Sequence, residues 1–327
     1  MLGRSRRSLS SREARPLPRE RGSDLSPVSL HKQNGRNSMS QTVGFIGLGL
    51  MGTGFTTRLI ATGHKVVGFD LDETRRKESQ SRGVEVAESA SAVAAQSDIL
   101  AICVTTTAAV AAVVEELAGS GQIKGKTVVD FSTTEMDTTM KAAAQVADAG
   151  GQFLDAPVSG GPPAAEAGTL AIMAGGDNEA LEAARPLLEQ LGRLTNMGPS
   201  GAGQATKLVN QALCLTNYCI VAEGLRLAEA YGVDARKIPE ALEPGLGNSA
   251  VLQNIFPRMV ERDYAPRGYA RQILKDLEML QEATRKQHIA MPMAATATTL
   301  FRLLVAQGHS ELDGAAVVKL YPEQNKE

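Results

Sequence analysis

The sequence predicts a two-part chain: an α/β region built on parallel strands covered by helices, then an all-helical region. Three observations predict it. From Thr42 to about Asn196, short apolar β-rich runs alternate with Ala-rich runs of helical length, the pattern of a parallel sheet covered by helices. A glycine-rich turn joins the first of these strands to the first helix. After Gly198-Pro199 no strand-like run recurs, and Ala202–Tyr231 reads as one long helix.

In chain order, strands are expected at Thr42–Gly47, Lys65–Asp70, Ile99–Val104, Thr127–Phe131, Gly151–Asp155, Leu170–Ala174 and Leu194–Met197. Helices are expected to begin at Met51, Thr74, Ala108, Glu135 and Asn178. The long helix is apolar on most faces (Leu208, Val209, Ala212, Leu213, Leu215, Ile220, Val221), as a helix buried within its domain would be. Further helices are expected near Ala235–Leu242, Tyr269–Gln287, Pro292–Gln307 and Leu312–Leu320.

The 327 residues suffice for two such domains, and 43% hydrophobic content is that of an ordinary globular protein. The net charge of -2 hides an asymmetry: residues 1–39 hold nine Lys or Arg against Glu13, Glu20 and Asp24, leaving 25 basic and 33 acidic residues in the body. An acidic body with 4% aromatics and no Trp lacks the basic face and stacking platforms of a nucleic-acid binder. No apolar run reaches transmembrane length, so no membrane partner is expected. Residues 1–40 form a Ser-, Arg- and Pro-rich arm that is expected to be disordered. It reads either as an organelle transit peptide or as sequence upstream of a start at Met39. Its acidic residues and prolines favour the second reading, and with it a cytoplasmic location. Cys103, Cys214 and Cys219 are too scattered for disulfides or zinc and are expected as core fillers. Four His, with no HExxH and no paired CxxC, argue against a metal.

Four blocks carry chemistry. Gly47-Leu48-Gly49-Leu50-Met51-Gly52 follows the strand Val43-Gly44-Phe45-Ile46 and opens a helix. Gly47 permits the tight turn, Gly49 lets backbone approach a pyrophosphate, Gly52 allows close helix–strand packing, and the helix N-terminus attracts phosphates. Asp70 ends the next strand, 18 residues after Gly52. A carboxylate there accepts hydrogen bonds from ribose hydroxyls and repels a 2'-phosphate, so NAD is expected over NADP. Arg75 and Arg76 nearby leave room for NADP, or form a solvated helix face. In the second block, Asp155-Ala156-Pro157-Val158 leads into Ser159-Gly160-Gly161, a turn whose N–H groups and hydroxyl suit a small carboxylate; alone it is equally a plain loop. In the third, Lys207 opens the long apolar helix, with Asn210 and Gln211 on its face. Burial disfavours its ammonium and suits it to proton transfer, whereas a snorkelling lysine is the plainer alternative. The fourth, Lys275-Asp276-Leu277, reads on chemistry alone as a solvated charge pair.

In this order and spacing, the four blocks resemble the β-hydroxyacid dehydrogenase family, which includes 3-hydroxyisobutyrate dehydrogenases and tartronate semialdehyde reductases; the resemblance runs from residue 42 to about 320. It implies a Rossmann-type dinucleotide-binding domain (residues 41–198) and a helical substrate and dimerisation domain (199–327), with the active site between them and assembly as homodimers or homotetramers. It implies interconversion of a short 3-hydroxy acid and its semialdehyde, with the position of Lys207 as catalytic acid/base. Ser159, Gly160 and Gly161 would hold the substrate carboxylate, an amide at Asn210 or Gln211 would assist, and Lys275 would lie against the cofactor. Val104, Thr105, Ser132 and Thr133 fall where relatives line the nicotinamide side. Val104-Thr105 replaces a common Leu-Pro, Phe55 and Arg58 replace a Met and an Asn, and Pro162-Pro163 stiffens the substrate turn. Tyr269 also stands where a Phe is common, and the proline rigidity and the altered side chains at Phe55, Arg58 and Tyr269 are expected to reshape substrate choice. An imine reductase, or a non-catalytic NAD(P)-binding module, would share much of this pattern, and Lys207 argues against both.

Overall fold

The computed structural model describes residues 41–322; the expectations for residues 1–40 lie outside the described residues. In chain order the first half comprises β1 (Thr42–Ile46), α1 (Leu50–Ala61), β2 (Lys65–Phe69), α2 (Glu73–Ser81), β3 (Glu85–Val86), α3 (Ala90–Ala95), β4 (Ile99–Ile102), α4 (Thr107–Gly119), β5 (Thr127–Asp130), α5 (Met136–Asp148) and β6 (Gln152–Asp155). Then come β7 (Val158–Ser159), α6 (Gly161–Ala167), β8 (Leu170–Gly176), α7 (Asn178–Leu191) and β9 (Gly192–Gly198). The helical half follows as α8 (Ala202–Ala230), α9 (Ile238–Leu242), α10 (Ala250–Asn254), α11 (Phe256–Val260), α12 (Ala270–Lys286) and α13 (Pro292–Ala306), closed by a 3-10 segment at Gly314–Leu320.

The strands order as β3-β2-β1-β4-β5-β6-β8-β7, with β9 on β8. From β3 to β6 every pairing is parallel. Side chains alternate between faces, and both faces are dry: Val43, Phe45, Ala101 and Val129 join one core cluster, whereas Ile46, Leu100, Ile102 and Val128 join another. A strand covered on both sides must be apolar throughout, which is why these runs are short and unbroken. The expectation of a wholly parallel sheet is corrected beyond β6. β8 starts outside the strand ends and runs inward, so only Gly175 and Gly176 pair antiparallel with Asp155 and Leu154.

Several short elements differ from the sequence reading. β3, α3, β7, α6, α10 and α11 span too few residues to establish a hydrophobic period. The expected helix at Leu312–Leu320 is the 3-10 segment, and Ala235–Leu242 splits into a 3-10 turn at Ala235–Lys237 and α9, which opens with Pro239. Phe55 does not face the substrate region. It is buried between Phe45 and Phe131, with ring centroids at 5.5 and 4.6 Å. Arg58 donates to the Gln190 carbonyl at 2.9 Å, tying α1 to α7. Neither residue lines the cleft at the strand ends, although Phe55 stacks on Phe131, which does.

The start of α8 is fixed by the sheet. Gly201 N and Gln204 N donate to the Asp155 carboxylate, both at 2.8 Å. A β-carbon on Gly203 would stand 2.4 Å from the carbonyl oxygens of Asp155 and Met173, so only glycine lets the helix backbone rest on the end of β6 and the middle of β8. Further along, α8 is less buried than its composition suggests. One face packs into the helical core through Leu215, Cys219, Ala222 and Leu225, while Val209 (61%), Leu213 (70%), Ile220 (53%) and Leu227 (61%) remain exposed.

Gly203→Ala should therefore destabilise the fold by about 1–3 kcal/mol, the usual cost of overpacking. Urea denaturation checks this; an unchanged midpoint would show that α8 is not seated by this contact.

Candidate active site

One cleft of about 870 Å³ lies along the carboxyl ends of the parallel strands and the face of the helical half. Gly49, Leu50, Met51, Gly52, Val104, Thr105, Thr133, Ser159, Gly160, Gly161, Lys207, Asn210, Gln211 and Lys275 all line it. Gly47, Leu48 and Asp70 are not among the residues that line it.

The glycine turn has the shape a pyrophosphate requires. Gly47 has φ +102°, and a β-carbon there would stand 2.2 Å from the Cys103 carbonyl oxygen. One on Gly52 would stand 2.0 Å from the Gly47 carbonyl oxygen, so α1 and β1 close tightly. A β-carbon on Gly49 would meet only the tip of Arg75, at 3.4 Å, so that side is open. Gly49 caps α1 without a side-chain hydrogen bond, leaving the first-turn amides for a ligand. Leu48 is buried, and its N–H donates to Asp70 Oδ2 at 2.7 Å. Asp70 Oδ1 accepts from Asp72 N at 2.9 Å, and Arg75 Nη1 lies 3.7 Å from Oδ2. Asp70 thus braces the turn with its carboxylate at the end of β2.

Across the cleft, Lys207 is 8% exposed, and its Nζ donates to the Val158 carbonyl at 2.7 Å. Burial pushes its pKa below the ordinary lysine value, while the Asp276 carboxylate pulls it back up. Gln211 Nε2 donates to Asp276 Oδ2 and Asn210 Nδ2 donates to Gln211 Oε1, so the two amides form one chain. Lys275 pairs with Asp276 at 2.9 Å and donates to the Thr133 carbonyl at 3.0 Å. The charge pair read from sequence as solvated is therefore half-buried in the cleft, where it joins α12 to the loop after β5. That loop has a second tie: Gln204 Nε2 donates to Ser132 O at 2.7 Å, and Gln204 Oε1 accepts from Thr134 N at 3.2 Å.

The Ser159-Gly160-Gly161 turn is built from Gly160 (φ +131°) and Gly161 (φ +72°), with Pro162-Pro163 in the first turn of α6 and also lining the cleft. Cys103 and Cys214 are partly buried and pack against the two core clusters as expected, but they have a second environment. Both line the cleft, because they fall at the end of β4 and two turns beyond Lys207 on α8. Only Cys219 is buried.

Sequence reasoning missed Asp276 as the partner of Gln211, Asp155 and Gln204 as the residues that seat α8, and Asp130. Nothing in a single sequence marks these long-range partners, although a carboxylate ending each of two adjacent strands is visible. Asp130 is wholly buried: Oδ1 accepts from Ser132 N at 2.9 Å and Oδ2 has no partner. Burial raises its pKa from 3.8 to about 7, partly opposed by its bonds to Ser132.

Residues 42–203 match the family described as the NAD binding domain of 6-phosphogluconate dehydrogenase. Residues 201–321 match that described as NAD-binding of NADP-dependent 3-hydroxyisobutyrate dehydrogenase. The chain is 37% identical to a 2-hydroxy-3-oxopropionate reductase of Escherichia coli, over 85% of this chain and 96% of the relative. The chain belongs to the β-hydroxyacid dehydrogenase family. An NAD-dependent L-serine dehydrogenase of Pseudomonas aeruginosa is 35% identical over 85% of this dehydrogenase and 97% of its own length. A solved Mycobacterium tuberculosis 3-hydroxyisobutyrate dehydrogenase with L-serine aligns with TM-score 0.77 at 29% identity, covering 87% of this chain and all of that one. The dehydrogenase is an NAD(P)-dependent oxidoreductase of hydroxy acids and their semialdehydes, with a Rossmann-type first half and a helical second half.

The buried Asp130 makes stability depend on pH in an unusual direction. Its folded pKa lies above its unfolded one, so its contribution is full at low pH and is lost as pH rises from about 4 towards 7. Asp130→Asn should therefore gain thermal stability relative to the parent as pH increases across that window. A Tm difference that is constant from pH 4 to 8 would overturn this.

Proposed function

We propose that this dehydrogenase interconverts a short 3-hydroxy acid, of the 3-hydroxyisobutyrate or glycerate type, and its semialdehyde, with Lys207 as the proton-transferring residue and NAD as the preferred cofactor. The observation that carries the reading is Lys207 itself: a buried lysine, made easier to deprotonate by burial yet held near a carboxylate, on the wall of the cleft that holds the glycine turn. The bound nicotinamide supplies or accepts hydride. Lys207 Nζ gives its proton to the developing alkoxide during aldehyde reduction and takes the hydroxyl proton, as the neutral amine, during oxidation. Ser159, Gly160 and Gly161 hold the substrate carboxylate. Asn210, whose Nδ2 is engaged by Gln211, keeps its carbonyl oxygen for the substrate hydroxyl.

Residues 41–198 would bind the dinucleotide and residues 199–327 would complete the substrate site and the oligomer. Gly47, Leu48, Gly49, Leu50, Met51 and Gly52 form the pyrophosphate turn, Asp70 meets the adenosine ribose, and Val104, Thr105, Thr133 and Lys275 bound the nicotinamide side. The Asp70 carboxylate disfavours a 2'-phosphate, and Arg75 beside it offsets that repulsion only in part. Among the described residues no helix is long and apolar enough to cross a membrane, and the cytoplasmic location belongs to the same reading. The exposed stripe of Val209, Leu213, Ile220 and Leu227, beside a smaller groove against α13, supports a homodimer or homotetramer assembled through α8.

Lys207→Ala should lower turnover by about 10²–10⁴-fold, the range of a general acid/base, while binding of the dinucleotide measured by fluorescence titration stays nearly unchanged. Turnover retained in that variant would overturn the assignment. Parent enzyme should oxidise the hydroxy acid faster with rising pH, as Lys207 loses its proton, and reduce the aldehyde more slowly. The kcat/KM ratio of NAD to NADP should fall about tenfold or more in Asp70→Ser, and an unchanged ratio would remove Asp70 from cofactor choice. Leu213→Glu should shift the particle mass measured by light scattering to the monomer; an unchanged mass would place the interface elsewhere.

A further inference from the structure

The wall of the cleft contributed by the segment before α12 holds a cation that nothing in the proposed reaction uses. Arg267 lines the same cleft as Ser159–Gly161 and Lys207. Its side chain is 56% exposed, and its ion pair to Asp263 Oδ2 is loose, at 3.9 Å. Asp263 is already committed: Oδ2 accepts from Arg258 Nε at 3.0 Å and Oδ1 from Ala265 N at 3.0 Å. The Arg267 guanidinium therefore keeps most of its donors for a ligand.

The backbone beneath this cation is rigid. Arg267 N and Gly268 N both donate to Asp313 Oδ2, at 2.8 and 3.0 Å. Asp313 is buried and pairs at 3.0 Å with the buried Arg258, which also reaches the Ala265 carbonyl. Burying a guanidinium is costly unless it is paired, and Arg258 is held by the carboxylates of Asp263 and Asp313 and by the Ala265 carbonyl, although its Nη1 makes no hydrogen bond. A β-carbon on Gly268 would find no atom within 4 Å, so the cleft is open beside the cation. The two acids that line the cleft cannot neutralise it: Asp276 is held by Lys275 and Gln211, and Asp313 by Arg258 and backbone amides.

We propose that Arg267 is a specificity-determining residue that selects hydroxy acids bearing a second anionic group, a carboxylate, sulfonate or phosphonate, on the substituent that points away from the reacting hydroxyl. The inference rests on the proposed reaction: the first carboxylate occupies Ser159–Gly161, and the second meets the guanidinium. A planar fork of donors suits all three anions, and bidentate pairing in a partly closed cleft outweighs an exposed surface contact.

The test compares two substrates of equal shape, 2-(hydroxymethyl)succinate and the half-amide in which the distal carboxylate is replaced by a carboxamide. In the parent enzyme with NAD, kcat/KM for the dianion should exceed that for the amide at least tenfold, chiefly through KM. The ratio should fall to near one in Arg267→Gln and recover in part in Arg267→Lys, with far-UV circular dichroism confirming that each variant is folded. A parent ratio near or below one, or a ratio that Arg267→Gln leaves unchanged, overturns the inference while leaving the reaction standing. Absence of Lys207-dependent turnover with either compound overturns the reaction assignment and this inference with it.

Discussion

Everything in the cleft depends on the seating of one helix on the edge of a sheet. The Asp155 carboxylate ends β6 and accepts from the first amides of α8, and the bare backbone of Gly203 lets that helix touch two strand carbonyls. Four residues on, Lys207 is delivered to the cleft at a height fixed by the helix rise. The side chain of Gln204 then fastens the loop after β5 on both its donor and its acceptor sides. Helix, strand ends and loop thus form a single joint, held by two buried polar side chains, Asp155 and Gln204, and by the close backbone approach at Gly203.

Charge inside the joint is arranged as a ladder of alternating sign. Lys207 lies within reach of the Asp276 field, Asp276 holds Lys275, and Lys275 holds the Thr133 carbonyl on the opposite half. An isolated buried ammonium would shed its proton, whereas one beside a half-buried carboxylate keeps both protonation states accessible. The same ladder explains why Lys275-Asp276-Leu277 reads as ordinary surface charge in the sequence. Its place in the cleft comes from the partner that folding brings to Asp276, Gln211, 65 residues away.

The sequence reveals much of the frame because its signals are local. The apolar strand runs, the glycine turn and the extent of α8 each follow from spacing within a few residues. Lys207 is legible for the same reason, standing at the head of an apolar helix. The reversal of β8 is not legible, since two pairs of glycine-containing contacts decide it. Composition likewise cannot distinguish a helix buried on every side from α8, whose apolar surface is divided between core and solvent. Phe55 and Arg58 show the converse limit: unusual residues beside the glycine turn do not reach the cleft themselves, Phe55 packing behind Phe131 and Arg58 tying α1 to α7.

Gly54 joins the two ends of the cleft. A β-carbon at this position would stand 2.8 Å from the Pro162 carbonyl oxygen and 2.9 Å from the Ala165 side chain, so α1 and α6 meet almost backbone to backbone. The helix that opens at the glycine turn and the segment that follows the Ser159–Gly161 turn are consequently in direct backbone contact. Were ligands at the two ends coupled through this contact, linkage would make the effect of each on the other mutual. Cooperation between two ligands here needs no relay of side chains, only the absence of a methyl group.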